Sequence, residues 1–306
     1  MISEAVMKAL KGFVPEENIR LQEPMSEHTT FRVGGPADCF VELESAGQLQ
    51  KVHRYLQMVE VPFVVLGNGS NLLVSDEGYR GVVLRIGSGM SNIRVEGGRI
   101  VAQAGASLSA LARAALEHGL TGLEFASGIP GTVGGGVVMN AGAYGGEMSQ
   151  VVSRVTVLSK EGEFLELDNE TMEFGYRFST IKNQPFIVTE VVFELQPGNA
   201  AAIKEKMEEL AAKRREKQPL EYPSAGSTFK LPEGYFAGEL IMKAGLRGLQ
   251  IGGAQVSEKH CGFVINKENA TASEVMQVIK EVQACVSDKF HVGLEPEVVF
   301  LGRWQQ

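Results

Sequence analysis

The sequence predicts an α+β protein of two domains. Strand-like apolar runs are mixed along the chain with stretches of helical periodicity. The chain has 306 residues, whereas a single hydrophobic core stops growing at roughly 250–300 residues. A shift in composition at Gln196-Pro197-Gly198-Asn199 puts the boundary near residue 200, giving domains 1–200 and 201–306.

The elements follow in order. Ser45 to Glu60 carries Leu49, Val52, Leu56 and Val59 on one helical face, with Ser45 placed as its cap. Val61 to Leu66 is a buried strand running into Gly67-Asn68-Gly69-Ser70-Asn71, and Val82 to Ile86 is a second strand. Ile93–Val95 and Arg99–Ala102 make a hairpin turning at Gly97-Gly98. Leu108, Leu111, Ala112, Ala115 and Leu116 line the next helix, between Ser107 as cap and Gly119 as stop. Beyond the glycine-rich stretch Ser127–Gly146, strands Val151–Leu158 and Glu163–Leu167 flank Glu161-Gly162, and Phe186–Leu195 is a further strand. Ala200–Lys217 is helical, with Ile203, Met207, Leu210 and Ala211 on one face, and Pro219 and Pro223 break it. The second domain holds Gly238–Leu246, a strand over Gly262–Asn266, and a helix opened by the Thr271/Glu274 capping box.

The formal net charge of −8 argues against a nucleic-acid partner, because binding phosphate backbones needs a basic surface. A small anionic ligand needs only a local pocket. The one basic cluster, Lys213, Arg214, Arg215 and Lys217, reads equally as such a pocket or as the solvated end of a helix. Cys39, Cys261 and Cys285 contain no CxxC spacing, and the five histidines show no HExxH. Neither a disulfide framework nor a metal site is expected. A reducing cytoplasm fits. The start Met-Ile-Ser-Glu-Ala-Val shows no signal peptide, and no apolar run reaches the length of a membrane span.

Two glycine loops carry the functional signal. Gly67-Asn68-Gly69-Ser70-Asn71 directly follows a strand. Successive backbone N–H groups in such a turn form a concave anion site, with Ser70 and Asn71 adding side-chain donors; an ordinary turn is the other reading. The loop lacks the Gly-Lys-Ser/Thr ending of a P-loop and the third glycine of a dinucleotide fingerprint. The second loop runs Ser127-Gly128-Ile129-Pro130-Gly131-Thr132-Val133-Gly134-Gly135-Gly136 and continues to Asn140-Ala141-Gly142-Ala143-Tyr144-Gly145-Gly146. So many glycines cost backbone entropy on folding, and linkers are seldom so apolar. A backbone wall pressed against a flat cofactor accounts for both features, and the pair of loops suggests a dinucleotide site.

Six separated motifs then match one family in its order: Thr30-Phe31-Arg32-Val33-Gly34-Gly35-Pro36-Ala37, Leu66 to Leu73, Ser127 to Gly135, Tyr176-Arg177-Phe178-Ser179, Ala225-Gly226-Ser227-Thr228-Phe229-Lys230, and Leu294-Glu295-Pro296-Glu297-Val298. On these motifs the chain resembles the UDP-N-acetylenolpyruvoylglucosamine reductase (MurB) family over essentially its whole length. The short path from Arg177 to Ser227 resembles the shorter subtype, which lacks a tyrosine-bearing insertion.

The resemblance implies an FAD-binding domain of the vanillyl-alcohol-oxidase (PCMH) type at 1–200, with subdomains of about 1–66 and 67–200. A smaller α+β substrate domain would follow, its C-terminal end returning to the active site. It also implies FAD as bound cofactor, NADPH as electron donor, and a UDP-N-acetylglucosamine enolpyruvyl ether as substrate. The product would be UDP-N-acetylmuramate, for peptidoglycan, made by a cytoplasmic monomer. By the same resemblance FAD would be held by Gly67, Asn68, Gly69, Ser70, Asn71, Leu72, Ser127, Gly128, Ile129, Pro130, Gly131, Gly134, Gly135, Asn140, Ala141 and Gly142. Arg177 matches the catalytic arginine, whose planar fork suits a carboxylate. Ser227 matches the proton donor and Glu297 the catalytic glutamate. Tyr144, Arg214, Lys217, Lys230 and His260 are the candidate substrate contacts; Tyr144 reads also as a core tyrosine and His260 as a structural histidine. Leu231 departs from the family, where many members carry Asn or Arg. Two other functions use the same features: a flavin oxidase with another substrate, and a non-catalytic nucleotide-binding module.

Overall fold

The computed structural model describes residues 2–304. By compactness the chain divides into two units, each with its own hydrophobic cluster. The first comprises 1–20, 39–68 and 81–213; the second comprises 21–38, 69–80 and 214–306. This division differs from contiguous domains cut at residue 200. Long-range pairing is the reason, and a linear reading of composition does not contain it. Leu72–Val74 is a strand of the second unit because it pairs in parallel with Val299–Leu301, and Phe31, Val33 and Leu73 are buried in that unit's core.

The first unit begins with helix α1 (Glu4–Lys11), capped by Ser3. Of the strand Pro36–Leu43, which is nearly all buried, residues 39–43 belong to this unit, where 63–66 pairs in parallel with 82–85. Helix α2 (Ala46–Met58) follows. Its Ser45 cap accepts the Gln48 N–H at 3.2 Å, and Leu49, Val52 and Leu56 are buried as the spacing predicts. Neither α1 nor the strand Pro36–Leu43 was legible in the sequence reading.

A second sheet of five antiparallel strands is ordered 164–168, 152–158, 187–194, 99–103, 93–96. The hairpin at Gly97-Gly98 pairs Glu96 with Arg99, as expected. Helix α3 (Leu108–Glu117) buries Leu108, Leu111, Ala112 and Ala115, and Ser107 caps it. In place of the expected open loop, the glycine-rich stretch contains a short helix, α4 (Val133–Val138), capped by Thr132. Its glycines are contact surfaces. A Cβ on Gly134 would lie 2.9 Å from that of Ala104, and one on Gly136 would lie 3.2 Å from a methyl of Leu108. Glycine here costs helix propensity, offset by the close approach of α4 to its neighbours. Helix α5 (Ala200–Lys217) buries Ile203 and Leu210; Asn199 Oδ1 accepts from the N–H groups of Ala201 and Ala202 at its start.

In the second unit a three-stranded meander (250–251, 254–256, 264–266) packs with helices α6 (Ala237–Lys243) and α7 (Ala272–Phe290). The α7 capping box forms in full: Thr271 Oγ1 accepts from Glu274 N–H at 3.2 Å and Glu274 accepts from Thr271 N–H at 2.9 Å. Asp76 adds a second cap, accepting from the N–H groups of Ala272 and Ser273. Among the described residues, no helix is long and apolar enough to cross a membrane.

Candidate active site

In the first unit, Asn68 ties the two glycine loops together. Its Nδ2 donates to the Pro130 carbonyl at 3.2 Å, and its Oδ1 accepts from Arg85 Nη2 at 3.1 Å. Arg85 was missed in the sequence, although a charged residue inside the apolar strand Val82–Ile86 was the visible signal. Burial pushes its guanidinium pKa down while the Glu42 carboxylate opposes that shift. A Cβ on Gly67 would lie 2.5 Å from Thr132 Oγ1, so this glycine answers to the helix cap behind it.

Ser127 Oγ donates to the Glu124 carbonyl at 2.8 Å in the short turn Glu124–Gly128, and the Ile129 N–H donates to Ala126. The Gly131 carbonyl accepts from Leu108 N–H. The N-terminal donors of α4 are committed: Val133 to Ala106 O, Gly134 to Ala104 O, and Gly135 to Thr132 Oγ1. Helix α4 therefore adds no open donors for an anion. Ala141 and Gly142 lead into a tight hairpin whose turn residues, Tyr144 and Gly145, have φ of +53° and +88°. Tyr144 is 45% exposed, which removes the reading of a core tyrosine.

Arg177 sits on a second tight turn in the same unit. Gly175 and Phe178 exchange backbone hydrogen bonds at 3.0 and 3.2 Å, and Arg177 is left-handed at φ +53°. Its guanidinium carbon lies 5.1 Å from the centroid of the Tyr176 ring, a cation–π contact that orients the side chain. Asn140, expected among the cofactor residues, is 1% exposed, and both ends of its amide are occupied. Nδ2 donates to Gly175 O at 3.0 Å and Oδ1 accepts from Ser149 N–H at 2.9 Å. Its contribution is to the Arg177 turn.

In the second unit, the segments that carry Ser227 and Glu297 are joined at Thr228, the residue after Ser227. Fully buried, Thr228 donates its N–H to Gly262 O at 2.8 Å and accepts the Glu297 N–H at 2.8 Å. Its Oγ1 accepts the Val264 N–H at 2.9 Å. Phe229 bridges to Pro296, and Lys230 N–H donates to Glu295 O at 2.9 Å. From the other side, Asn71 Nδ2 donates to Glu297 O at 3.2 Å. The Glu297 backbone is thus clamped between Thr228 and Asn71. Gly226, before Ser227, has φ +76°, and a Cβ there would meet nothing within 4 Å. Open space lies beside the serine.

The substrate candidates divide. Lys230 forms an ion pair with Glu295, and Lys217 is exposed at the end of α5. Arg214, half-buried, precedes it by one helical turn. Lys213 pairs with Glu209 at 2.5 Å and Lys259 Nζ caps the Arg215 carbonyl at 2.7 Å, so part of the basic cluster serves the helix itself. His260 is structural at one nitrogen: Nδ1 accepts from the Gly262 N–H at 3.2 Å, and the ring stands edge-on to Phe263. Burial pushes its pKa down, and the Lys217 charge adds to that.

The cofactor expectation meets the geometry at the first loop. Gly69 is buried at φ +59°, packed so that a Cβ would lie 2.1 Å from the His28 carbonyl oxygen. Among the described residues, the N–H groups of Gly69 and Ser70 make no hydrogen bond. Gly69 is buried and Ser70 half-buried; two successive donors of this kind fit an anionic group such as the diphosphate of FAD.

Comparison with known proteins agrees. Residues 37–168 match the family described as FAD binding domain. A Phl p 4 variant described as a glucose oxidase shares the fold alone, at TM-score 0.52 and 15% identity over 64% of this chain and 45% of that one. The class is therefore that of proteins with an FAD-binding domain. Residues 218–301 match UDP-N-acetylenolpyruvoylglucosamine reductase, C-terminal domain. A protein of that name from Caldanaerobacter subterraneus subsp. tengcongensis is 52% identical over 98% of this chain and 99% of its own. Another from Geobacillus thermodenitrificans is 50% identical over 98% of each. The crystal structure of the Thermus caldophilus enzyme superposes at TM-score 0.80, with 36% identity over 93% of this chain and 98% of that one. This chain belongs to the UDP-N-acetylenolpyruvoylglucosamine reductase family.

Proposed function

We propose that the protein reduces the enolpyruvyl ether of UDP-N-acetylglucosamine to UDP-N-acetylmuramate with electrons from NADPH, a step of peptidoglycan synthesis. The observation that supports this reading is the main-chain hydrogen bond from Glu297 N–H to Thr228 O, which joins the two segments bearing Ser227 and Glu297, in a chain whose relatives bear the reductase name over nearly their full length. FAD, when bound, supplies the hydride from its N5 position.

The protein's own groups act around that transfer. Reduction of the double bond puts hydride on its terminal carbon and leaves an electron-rich carbon beside the substrate carboxylate. Arg177 binds that carboxylate, its planar fork matching the two oxygens as charge accumulates there. Ser227 Oγ holds the proton that goes to the electron-rich carbon, completing addition of one hydride and one proton. No protein group holds that hydroxyl among the described residues, and Gly226 leaves the space beside it open. Glu297, with its backbone fixed on both sides, is assigned as the catalytic glutamate. Gly67–Leu72, Ser127–Gly131, Gly134, Gly135, Ala141 and Gly142 are assigned to FAD, whereas Asn140, with both ends of its amide taken within the protein, is not. Tyr144, Arg214, Lys217, Lys230 and His260 are assigned to the substrate side. The protein works as a cytoplasmic monomer with small-molecule partners.

The test is anaerobic. Bound flavin is reduced with one equivalent of NADPH, the enolpyruvyl ether is added, and the visible absorbance is followed. Stoichiometric return of the oxidised spectrum is expected. A flavin that stays reduced removes this substrate and leaves an oxidase on the same fold.

A further inference from the structure

We propose that Asn140 and Ser179 are positioning residues that set Arg177 in place for proton and hydride addition, by binding the Arg177 turn to the end of helix α4. The proposal rests on the reading above in which Arg177 acts on the substrate carboxylate.

Four observations within the first unit support it. Asn140 and Ser179 are 1% and 0% exposed. Each hydrogen-bonds a backbone carbonyl across long sequence separation: Asn140 Nδ2 to Gly175 O at 3.0 Å, and Ser179 Oγ to Val138 O at 2.8 Å. The two bonds run in opposite directions. One reaches from the glycine-rich segment to the residue before the turn, and the other returns from the residue after the turn to the last residue of α4. Between them lie only Tyr176, Arg177 and Phe178, with Arg177 left-handed at φ +53°.

A two-residue tip with a non-glycine residue in that region persists only where its surroundings over-determine it. Here the surroundings are these two side chains, the Gly175–Phe178 pair, and Lys182 Nζ on the Arg177 carbonyl at 3.2 Å. Asn140 is itself held, since its Oδ1 takes the Ser149 N–H. The same α4 segment is the one assigned to the flavin. The ties therefore fix the arginine against the wall that carries the cofactor. A small displacement of a group that binds the reacting centre slows the chemical step strongly, and one that only binds ligand weakens affinity.

Ser179→Ala deletes one tie without changing the size of the buried side chain appreciably. Asn140→Asp removes the donor of the other and keeps the acceptor for Ser149. The experiment separates the half-reactions. In both variants, reoxidation of the reduced flavin by the enolpyruvyl ether is expected to slow by about tenfold or more. Reduction by NADPH is expected to stay within about twofold of wild type, with the oxidised flavin spectrum unchanged.

The same Ser179→Ala change made in an Arg177→Ala background is expected to add less than about twofold, because its effect passes through the arginine. A residue that merely stabilised the unit would slow both half-reactions and act equally in both backgrounds. Reoxidation near the wild-type rate in Ser179→Ala, or an equal loss in the two backgrounds, overturns the proposal. If Ser179→Ala does not fold, Asn140→Asp carries the same comparison. A wild type that never reoxidises with the enolpyruvyl ether brings down the reductase reading and this inference together. A competent wild type, a dead Arg177→Ala and a silent Ser179→Ala bring down only the inference.

Discussion

The turn that carries Arg177 and the ladder that carries Ser227 and Glu297 are built by different means. Arg177 stands on a left-handed tip whose flanks are fastened by two buried side chains. The segments of Ser227 and Glu297 meet at a short bridge, joined by main-chain hydrogen bonds from Glu297 N–H to Thr228 O and from Lys230 N–H to Glu295 O on either side of the Phe229–Pro296 pair. A side-chain tie can be deleted by one substitution. A backbone ladder cannot, except where a side chain completes it, and here those side chains are Thr228 and Asn71. The arginine is accordingly the more mutable of the two placements, and the serine–glutamate pair the more robust.

The largest expected effect removes the chemistry and leaves both placements intact. Ser227→Ala should keep flavin reduction by NADPH and lose turnover of the enolpyruvyl ether by about 10²–10³-fold, the usual worth of one well-placed transition-state donor. Equal loss of both half-reactions in stopped-flow traces would exclude Ser227 as the proton donor. Next, Thr228→Val should strip the acceptor from the Val264 N–H and destabilise the second unit by about 1–3 kcal/mol, measured by urea denaturation. Stability unchanged from wild type would show that the ladder does not depend on Thr228 Oγ1.

Asn71→Ala should cost less, about 1 kcal/mol for a half-buried hydrogen bond, and should lower enolpyruvyl ether turnover more than flavin content. Thr271→Ala, remote from both placements, should cost about 1 kcal/mol through the α7 cap and leave the ratio of the two half-reaction rates at its wild-type value. A changed ratio would mean that loosening the second unit anywhere disturbs the ladder.

The smallest effect concerns acid. His53, in the first unit, is 1% exposed with Nδ1 unpartnered, and burial and then the Arg54 charge push its pKa below the usual value, with Glu161 opposing. The folded state thus binds its proton less readily than the unfolded state. Its contribution to stability is present above about pH 6.5, the unfolded range, and is lost as pH falls through the lowered native value. Melting temperatures measured between pH 7 and 5 should fall less steeply in His53→Gln than in the wild type. Parallel slopes would assign the acid sensitivity elsewhere.

Much of the fold was legible because its signals are local. The Ser45, Ser107 and Thr271 caps, the period of Leu49, Val52 and Leu56, and the Gly97-Gly98 turn each declare themselves within a few residues. Helix α4 was not legible, because glycine lowers helix propensity and only contact with Ala104, Leu108 and Met148 makes glycine the residue that fits. The candidate site divides in the same way. Arg177, Ser227 and Glu297 could be named because they sit in recognisable motifs. The residues that hold them, Asn140, Ser179 and Thr228, could be assigned no such role, since a buried amide or hydroxyl acts through partners tens of residues away.

What the sequence by itself determined is therefore the list of local elements, the two glycine loops, the family and the candidate side chains Arg177, Ser227 and Glu297. Tertiary structure alone decided that 21–38 and 69–80 belong with the C-terminal unit, and that Asn140 serves the arginine turn. It also decided that Gly69 and Ser70 keep donors open while α4 does not. The physical reason is that hydrogen-bond partners and close contacts are set by long-range pairing, which no window of the sequence contains.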